Sequence, residues 1–452
     1  MRTIFRKTLI HILRIESRLV ISKYKPKIIA ITGSVGKTST KDAVYAVLSG
    51  ITYVRKSEKS YNSEIGLPLT VLGIPNGWNN PAVWCENILK GLWLFLWPHK
   101  YPKWLVLEVG VGKPEDMDRT ASWLSTDAVI ITAIGDTPAH IEFFESRKHL
   151  IEEKAGLVKT LKKDGLLVLN ADDADVLEMK SKTKNLTVTY GFKEGADVLG
   201  SGDSISYDEA GVPKGIIFRI DEGGLAHRTT AEGKSLPVVI EGVFGRNHVY
   251  ASLAALALSS GMKWNMLSAV EVLKNYDVPP GRMRLLGGIN ETMLIDDTYN
   301  SSPFACEFAL RTLRGIKWGE PARNASGIAD AGGRKVAILG DMLELGKHTE
   351  EAHKNIGKIA SENSDVLVVV GPRAQAMKVG ALEMGTKAEN ILEFKDSREA
   401  AEAMKTFVKK GDLVLIKGSQ SMRMERVTEA LLLDQANKER LLVRQDEEWK
   451  KK

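Results

Sequence analysis

Short, wholly apolar runs alternate along the chain with longer stretches in which apolar residues recur every three or four positions. The run Ile28-Ile29-Ala30-Ile31 stops at Thr32-Gly33, and a turn holding Gly36 leads into a helical pattern from Thr38 through Leu48. Runs at 51–54, 104–110, 128–134 and 165–170 read as further strands, each followed by polar or glycine residues and then by helical spacing. Strands this rich in Val, Ile and Leu, alternating with helices, predict a parallel sheet covered on both faces. From about 196 to 242 the pattern changes to short alternating segments between Gly, Asp and Ser turns, which predicts an antiparallel extension of the same sheet. A helical, Ala- and Leu-rich stretch opens at Gly245-Arg246-Asn247-His248.

Pro279-Pro280-Gly281 is the best linker. Beyond it the alternation restarts, with strand patterns at 293–297, 335–341, 366–371 and 413–419. The expected fold is α/β: a P-loop parallel-sheet ATPase domain with a small antiparallel extension, then a second, Rossmann-like α/β domain. The boundaries drawn are a basic amphipathic arm over 1–26, a central domain over 27–281 and a carboxy-terminal domain over 282–452. The charged tail from 433 is expected to be a solvated helical end.

Two stretches depart from this alternation. Residues 1–27 hold eight basic residues against one acid, so the arm carries +7 of a total of +6 and the rest of the chain −1. A basic surface for nucleic acid is therefore excluded as the meaning of the net charge. The apolar stripe Ile4, Phe5, Leu9, Ile12, Leu13 and Val20 suits either an anionic membrane surface or packing on the body, and packing is the expectation. Residues 78–104 contain five of the nine tryptophans. The apolar run from 88 to 97 is too short to span a bilayer, which leaves a membrane interface or a covered helix. Peripheral membrane contact through 1–25 or 84–97 stays open.

The 452 residues allow two to four domains, and 43% hydrophobic with 27% charged residues is globular composition. Two cysteines, Cys85 and Cys306, make neither a disulfide framework nor a four-cysteine zinc site, and both read as small buried thiols. Arginines interrupt every early apolar run, so no secretory signal is read. The expected location is the cytoplasm, free or at the inner face of the membrane, and a monomer is expected.

The chemistry starts at the first turn. Gly33 and Gly36 allow backbone N–H groups of Gly33, Ser34, Val35 and Gly36 to close on phosphate oxygens, at the positive end of the helix that Ser39 helps to open. Lys37 would reach the terminal phosphates, and the Thr38 hydroxyl would hold Mg²⁺. Ile31 stands where the common phosphate-loop pattern has its first glycine. Glu108 ends a strand and His140 follows the next one. Ligands of parallel sheets bind at these strand ends, and a carboxylate, a hydroxyl and an imidazole together suit Mg²⁺ or Mn²⁺.

The motifs resemble those of the Mur ligase family. Thr32–Thr38 has the form Thr-Gly-Ser-x-Gly-Lys-Thr, and the stretches at 62–70, 297–303, 339–346 (with His353 downstream), 417–419 and 424–425 are similar to that family's motifs, spanning about 28–426. The nearest likeness is to the branch that adds D-alanyl-D-alanine to a muramoyl peptide in peptidoglycan synthesis. The resemblance implies ATP-dependent amide ligation through an acyl phosphate. It also implies that Lys37 contacts the phosphates, that Thr38 and Glu108 hold one Mg²⁺, and that His140 with Glu108 holds a second metal. Lys154, fourteen residues after His140, falls where the family carries a lysine carbamylated by CO₂, a metal ligand. By the same resemblance Asn247, Arg282 and Asn300 meet the nucleotide, while Asn62, Asp341, His353 and Lys417 line the substrate side of the closed cleft.

Three departures go with it. The loop comes after only a short arm, so the family's amino-terminal UDP-binding domain is expected to be lacking. Asn247 and His248 are swapped relative to the family's order, and Ala251 replaces an asparagine. A related ligase acting on another or a membrane-borne carboxylate, and a nucleotide-binding scaffold without ligation, remain as alternatives.

Overall fold

The computed structural model describes residues 2–58, 61–135, 143–222, 235–274, 276–318 and 333–450. A nine-stranded sheet is built from β1 (Lys27–Thr32), β2 (Val54–Lys56), β3 (Trp104–Glu108), β4 (Thr126–Ile131), β5 (Leu161–Asn170), β6 (Leu186–Gly191), β7 (Val198–Tyr207), β8 (Pro213–Glu222) and β9 (Ser235–Glu241). Its order is β2-β3-β1-β4-β5-β6-β7-β8-β9, parallel through β7 and antiparallel from there. The antiparallel extension is thus continuous with the parallel sheet. The second strand begins later than the apolar run at 51–54 suggests: Ile51 and Tyr53 are exposed, and pairing starts at Val54.

A six-stranded sheet follows, from β10 (Arg284–Gly287), β11 (Met293–Asp297), β12 (Lys335–Gly340), β13 (Val366–Val370), β14 (Ile391–Phe394) and β15 (Leu413–Lys417), in the order β10-β11-β15-β12-β13-β14. Only the edge strand β10 runs antiparallel. Central strands such as β3 and β15 are buried at every residue, as both faces carry helices.

The basic arm is a helix, Arg2–Tyr24, and it packs. Leu9, Leu13 and Val20 are buried against the sheet's helical layer and against the tryptophan-rich helix Pro81–Leu96. Lys23 Nζ donates to the carbonyls of Leu94, Phe95 and Trp97 at 3.2, 2.6 and 2.5 Å, a basic group neutralising a helix C-terminus. The two helices also meet at Gly91, where a Cβ would lie 2.4 Å from Glu16 Oε2. Among the described residues, no helix is long and apolar enough to cross a membrane. Cys306 is buried, but Cys85 is exposed, because it sits on the outer face of its helix.

The tail is not a solvated end. Leu441 and Leu442 are buried, and Arg444 binds Glu425 Oε2 while donating to the Tyr299 carbonyl at 3.1 Å. Charge pairing with a buried carboxylate draws these residues back onto the second sheet.

Candidate active site

β1 lies between β3 and β4, with Ile31 opposite Glu108 and Thr32 opposite Ile131. The chain leaves β1 at the switch in strand order, where a crevice opens at the carboxyl ends of the strands. Gly33 takes φ +146°, and a Cβ there would sit 2.0 Å from Thr132 Oγ1, so only glycine lets the loop press against β4. Ser34 and Val35 donate their N–H groups to Ala133 O at 2.7 and 3.0 Å, so these two, expected from the sequence to close on phosphate, are engaged by the chain leaving β4 instead. Gly36, left-handed at φ 85°, then starts the helix Lys37–Ser49.

Lys37 Nζ donates to the carbonyls of Gly33 and Ser34 at 2.9 and 3.3 Å, folding over its own loop. Burial lowers its pKa, and the Arg282 charge adds to this against the opposing pull of Glu108. The hydroxyls of Thr32 and Ser34 are buried without a hydrogen-bond partner, which leaves acceptor and donor capacity in the loop.

Glu108, 1% exposed, is held on both oxygens. Oε2 accepts from Thr38 Oγ1 at 2.9 Å and Oε1 from Asn62 Nδ2 at 3.1 Å. Lys41 Nζ stands 3.9 Å from Oε2 and 3.8 Å from Asp42 Oδ1. Lys154 donates from Nζ to Gly33 O at 3.2 Å. Its burial, reinforced by the neighbouring Lys37 charge, lowers its pKa to about 7. His140 lies outside the described residues.

The second domain closes over this site. Arg282 Nη2 donates to Thr38 Oγ1 at 2.9 Å, and its guanidinium lies 4.0 Å over the Tyr299 ring. His248 fixes the Arg282 backbone: Nε2 donates to Arg282 O at 2.7 Å and Nδ1 accepts from the Tyr276 hydroxyl at 2.9 Å. Burial lowers the His248 pKa to about 4, so the ring is neutral. Lys417, 2% exposed, donates to Asp297 Oδ2 at 2.6 Å and Asn300 O at 2.9 Å. A cleft of about 1120 Å³ lies between the sheets and brings together the Gly33–Ser39 loop, Asn62, Glu108, Lys154, Asn247, Arg282, Asn300 and Lys417.

Asp341 and His353 do not line that cleft. Asp341 Oδ1 accepts from the N–H groups of Arg373 and Ala374, at 3.0 and 2.7 Å. His353 Nδ1 donates to Thr349 O at 2.6 Å and Nε2 accepts from Met342 N at 2.9 Å. Both groups are spent holding the 341–346 turn, whose Leu343, Glu344 and Leu345 do reach the cleft. Motif spacing placed them near the site without telling which way they point. Sequence reading missed Lys41, although its position three residues after Thr38 sets it on the same helix face. It missed Tyr299 as the ring under Arg282 as well.

The donors suit the groups expected here. Thr38 and Glu108 form a hard oxygen pair fit for Mg²⁺, whose remaining ligands would come from phosphate and water. Among the described residues, no cluster of three His, Cys, Asp or Glu side chains could hold a metal by itself.

The description of the Mur ligase middle domain matches residues 31–259, and that of the Mur ligase glutamate ligase domain matches residues 281–420. The UDP-N-acetylmuramoyl-tripeptide–D-alanyl-D-alanine ligase of Bacillus subtilis is 26% identical over 410 residues, 90% of this chain and 76% of that protein. The Mycobacterium leprae protein of the same name is 29% identical over 421 residues, 90% of this chain and 74% of that one. Among solved structures, the MurF ligase from Thermotoga maritima in complex with ADP has the same fold, with a TM-score of 0.72 at 24% identity, covering 93% of this chain and 83% of that one. The folylpolyglutamate synthase of Mycobacterium tuberculosis complexed with ADP shares it at a TM-score of 0.60 and 15% identity, over 92% and 94%.

Proposed function

This chain belongs to the Mur ligase family, and from that premise we propose that it is an ATP-dependent ligase joining a D-alanyl-D-alanine-type dipeptide to the peptide carboxylate of a UDP-linked muramoyl peptide. The names of the relatives supply the substrates. The observation that carries the reaction type is the contact of Arg282 with Thr38, which sets a cation of one domain on the phosphate loop of the other.

In this reading the carboxylate attacks the γ-phosphorus of ATP, ADP leaves, and an acyl phosphate forms. The dipeptide amine then attacks the acyl carbon, phosphate leaves, and the amine gives up a proton. The N-terminus of the helix Lys37–Ser49 and the Lys37 ammonium hold the phosphates, and Arg282 adds positive charge where negative charge builds up. Mg²⁺ held by Thr38 and Glu108, when bound, supplies further charge neutralisation at the phosphates. Asn62 orients Glu108, and Lys417, fixed by Asp297, borders the cleft from the second sheet. Closure of two sheets over the site keeps water from the acyl phosphate. Phosphate release from ATP tests this: it should require both the muramoyl peptide and the dipeptide.

Lys154 is read as the carbamylated lysine. Its pKa near 7 leaves part of the amine unprotonated at neutral pH, the form that adds CO₂ and releases a proton to give an anionic carbamate. The tryptophan-rich helix is read as a contact for an anionic membrane surface. Leu89, Trp93 and Leu96 are 66, 53 and 54% exposed at spacings that place them on one face, and Trp97, 48% exposed, stacks on Trp93. Lys100 and Lys103 lie exposed nearby in sequence, and Lys25 is exposed two residues beyond the Lys23 that contacts this helix's end.

A further inference from the structure

The cleft has a second charged end, on the Asn62 side of Glu108 and away from Arg282. The N-terminal helix contributes Arg6, Lys7 and Ile10 to its wall, and the turn and short helix after β3 contribute Lys113 and Arg119. Lys7, Ile10 and Arg14 follow one another at three- and four-residue steps and so share a helix face. Arg14 Nη2 lies 3.4 Å from Glu64 Oε1, and Arg119 Nε lies 3.0 Å from the same oxygen. Arg119 also meets Asp116 at 2.9 Å and Glu115 at 3.5 Å, while Asp116 Oδ2 accepts from the N–H groups of Gly112 and Lys113. The carboxylates at this end are thus engaged by Arg14, Arg119 and backbone. Among the described residues, no acid pairs with Arg6, Lys7 or the Lys113 side chain, so these three cations face one end of the cleft without an acidic partner and the end is positive, five cations to three acids.

We propose that this end is an anion subsite, in which Arg6 and Lys7 of the N-terminal helix, with Lys113, bind the diphosphate of the carboxylate substrate. The proposal rests on the ligase reading above and extends it, by giving the anionic end of that substrate a place remote from the reacting carboxylate. A nucleotide diphosphate and a lipid-linked diphosphate offer the same group.

Calorimetry on the full chain, first saturated with a non-hydrolysable ATP analogue so that the phosphate loop is filled, separates the sources: UDP is titrated in one arm, geranyl diphosphate in another and uridine in a third. Both diphosphates should bind and uridine should not; tighter binding of UDP assigns the nucleotide source, and equal binding assigns the diphosphate alone. The double variant Arg6→Glu/Lys7→Glu should weaken UDP at least about tenfold, as expected for losing charge-assisted contacts, and Lys7→Arg should retain it. Lys163→Glu, a charge reversal on an exposed strand end, should have no such effect. Unchanged UDP binding in the double variant, or equal weakening by Lys163→Glu, overturns the subsite. A chain that binds the analogue but no diphosphate also overturns it and leaves the ligase reading standing. Arg6- and Lys7-dependent binding without any turnover refutes the ligase reading alone.

Discussion

Arg282 follows the Pro279-Pro280-Gly281 linker and donates from Nη2 to Thr38 Oγ1 at 2.9 Å, so the linker's end touches the phosphate loop. The linker is held in place on several sides: Gly281 N donates to Asp296 Oδ2 at 3.0 Å, Tyr299 N to Gly281 O at 3.1 Å, and His248 holds Arg282 O. Replacing Arg282 by alanine should remove a charge from the closed site and leave the backbone contacts. We expect kcat to fall by about a hundredfold, the scale for losing one preorganised electrostatic contact, with little change in thermal stability. Steady-state phosphate release and a melting curve check both parts.

Lys37 is folded over the loop by two carbonyl contacts. Lys37→Ala should abolish product while the circular dichroism spectrum stays that of the parent chain. Normal turnover in this variant would remove the phosphate role assigned to Lys37.

Much of the fold is legible in the sequence because β1, β3, β4, β12 and β15 are short, wholly apolar strands with glycine or polar ends. The loop at 33–38 is legible for a local reason, since its function lies in backbone conformation that Gly33 and Gly36 dictate. The directions of Asp341 and His353 depend on where the 373–374 and 349 backbones come to lie, which no local pattern encodes. The same holds for the tail, whose charges look solvated until Arg444 is seen against Glu425. Lys154 looks like a surface helix lysine by composition, and only the packing of its helix under Gly33 shows it buried.

Lys154 gives a second chemical test. If its carbamate forms, activity should drop when dissolved CO₂ is stripped from the buffer and return with bicarbonate. Carbon-13 bicarbonate should then give a carbamate resonance that Lys154→Met lacks.

Glu16 makes stability depend on pH. It is 7% exposed, its Oε2 has no hydrogen-bond partner, and burial raises its pKa from 4.5 to about 7. Between those two values the folded chain holds a proton that the unfolded chain has lost, so this group's contribution falls as pH rises from about 4.5 to 7 and is flat above. Glu16→Gln should flatten that part of the melting temperature profile. A profile unchanged by the substitution would place the titration elsewhere.

The exposed face of Pro81–Leu96 carries a surface test. Sedimentation with phosphatidylglycerol vesicles should retain the parent chain, and retention should fall at least severalfold in Trp93→Ser/Trp97→Ser and at high salt. Equal sedimentation of parent and variant would refute the membrane reading. A shift to a larger species without vesicles would assign the face to a second copy.

The most direct measurement is product mass. Purified chain is incubated with ATP, Mg²⁺ and UDP-N-acetylmuramoyl-tripeptide, with and without D-alanyl-D-alanine. We expect a species heavier than the tripeptide substrate by one dipeptide less one water, formed only when ATP and both substrates are present. ATP turnover without that species, or no turnover with any muramoyl peptide, would contradict the ligase assignment.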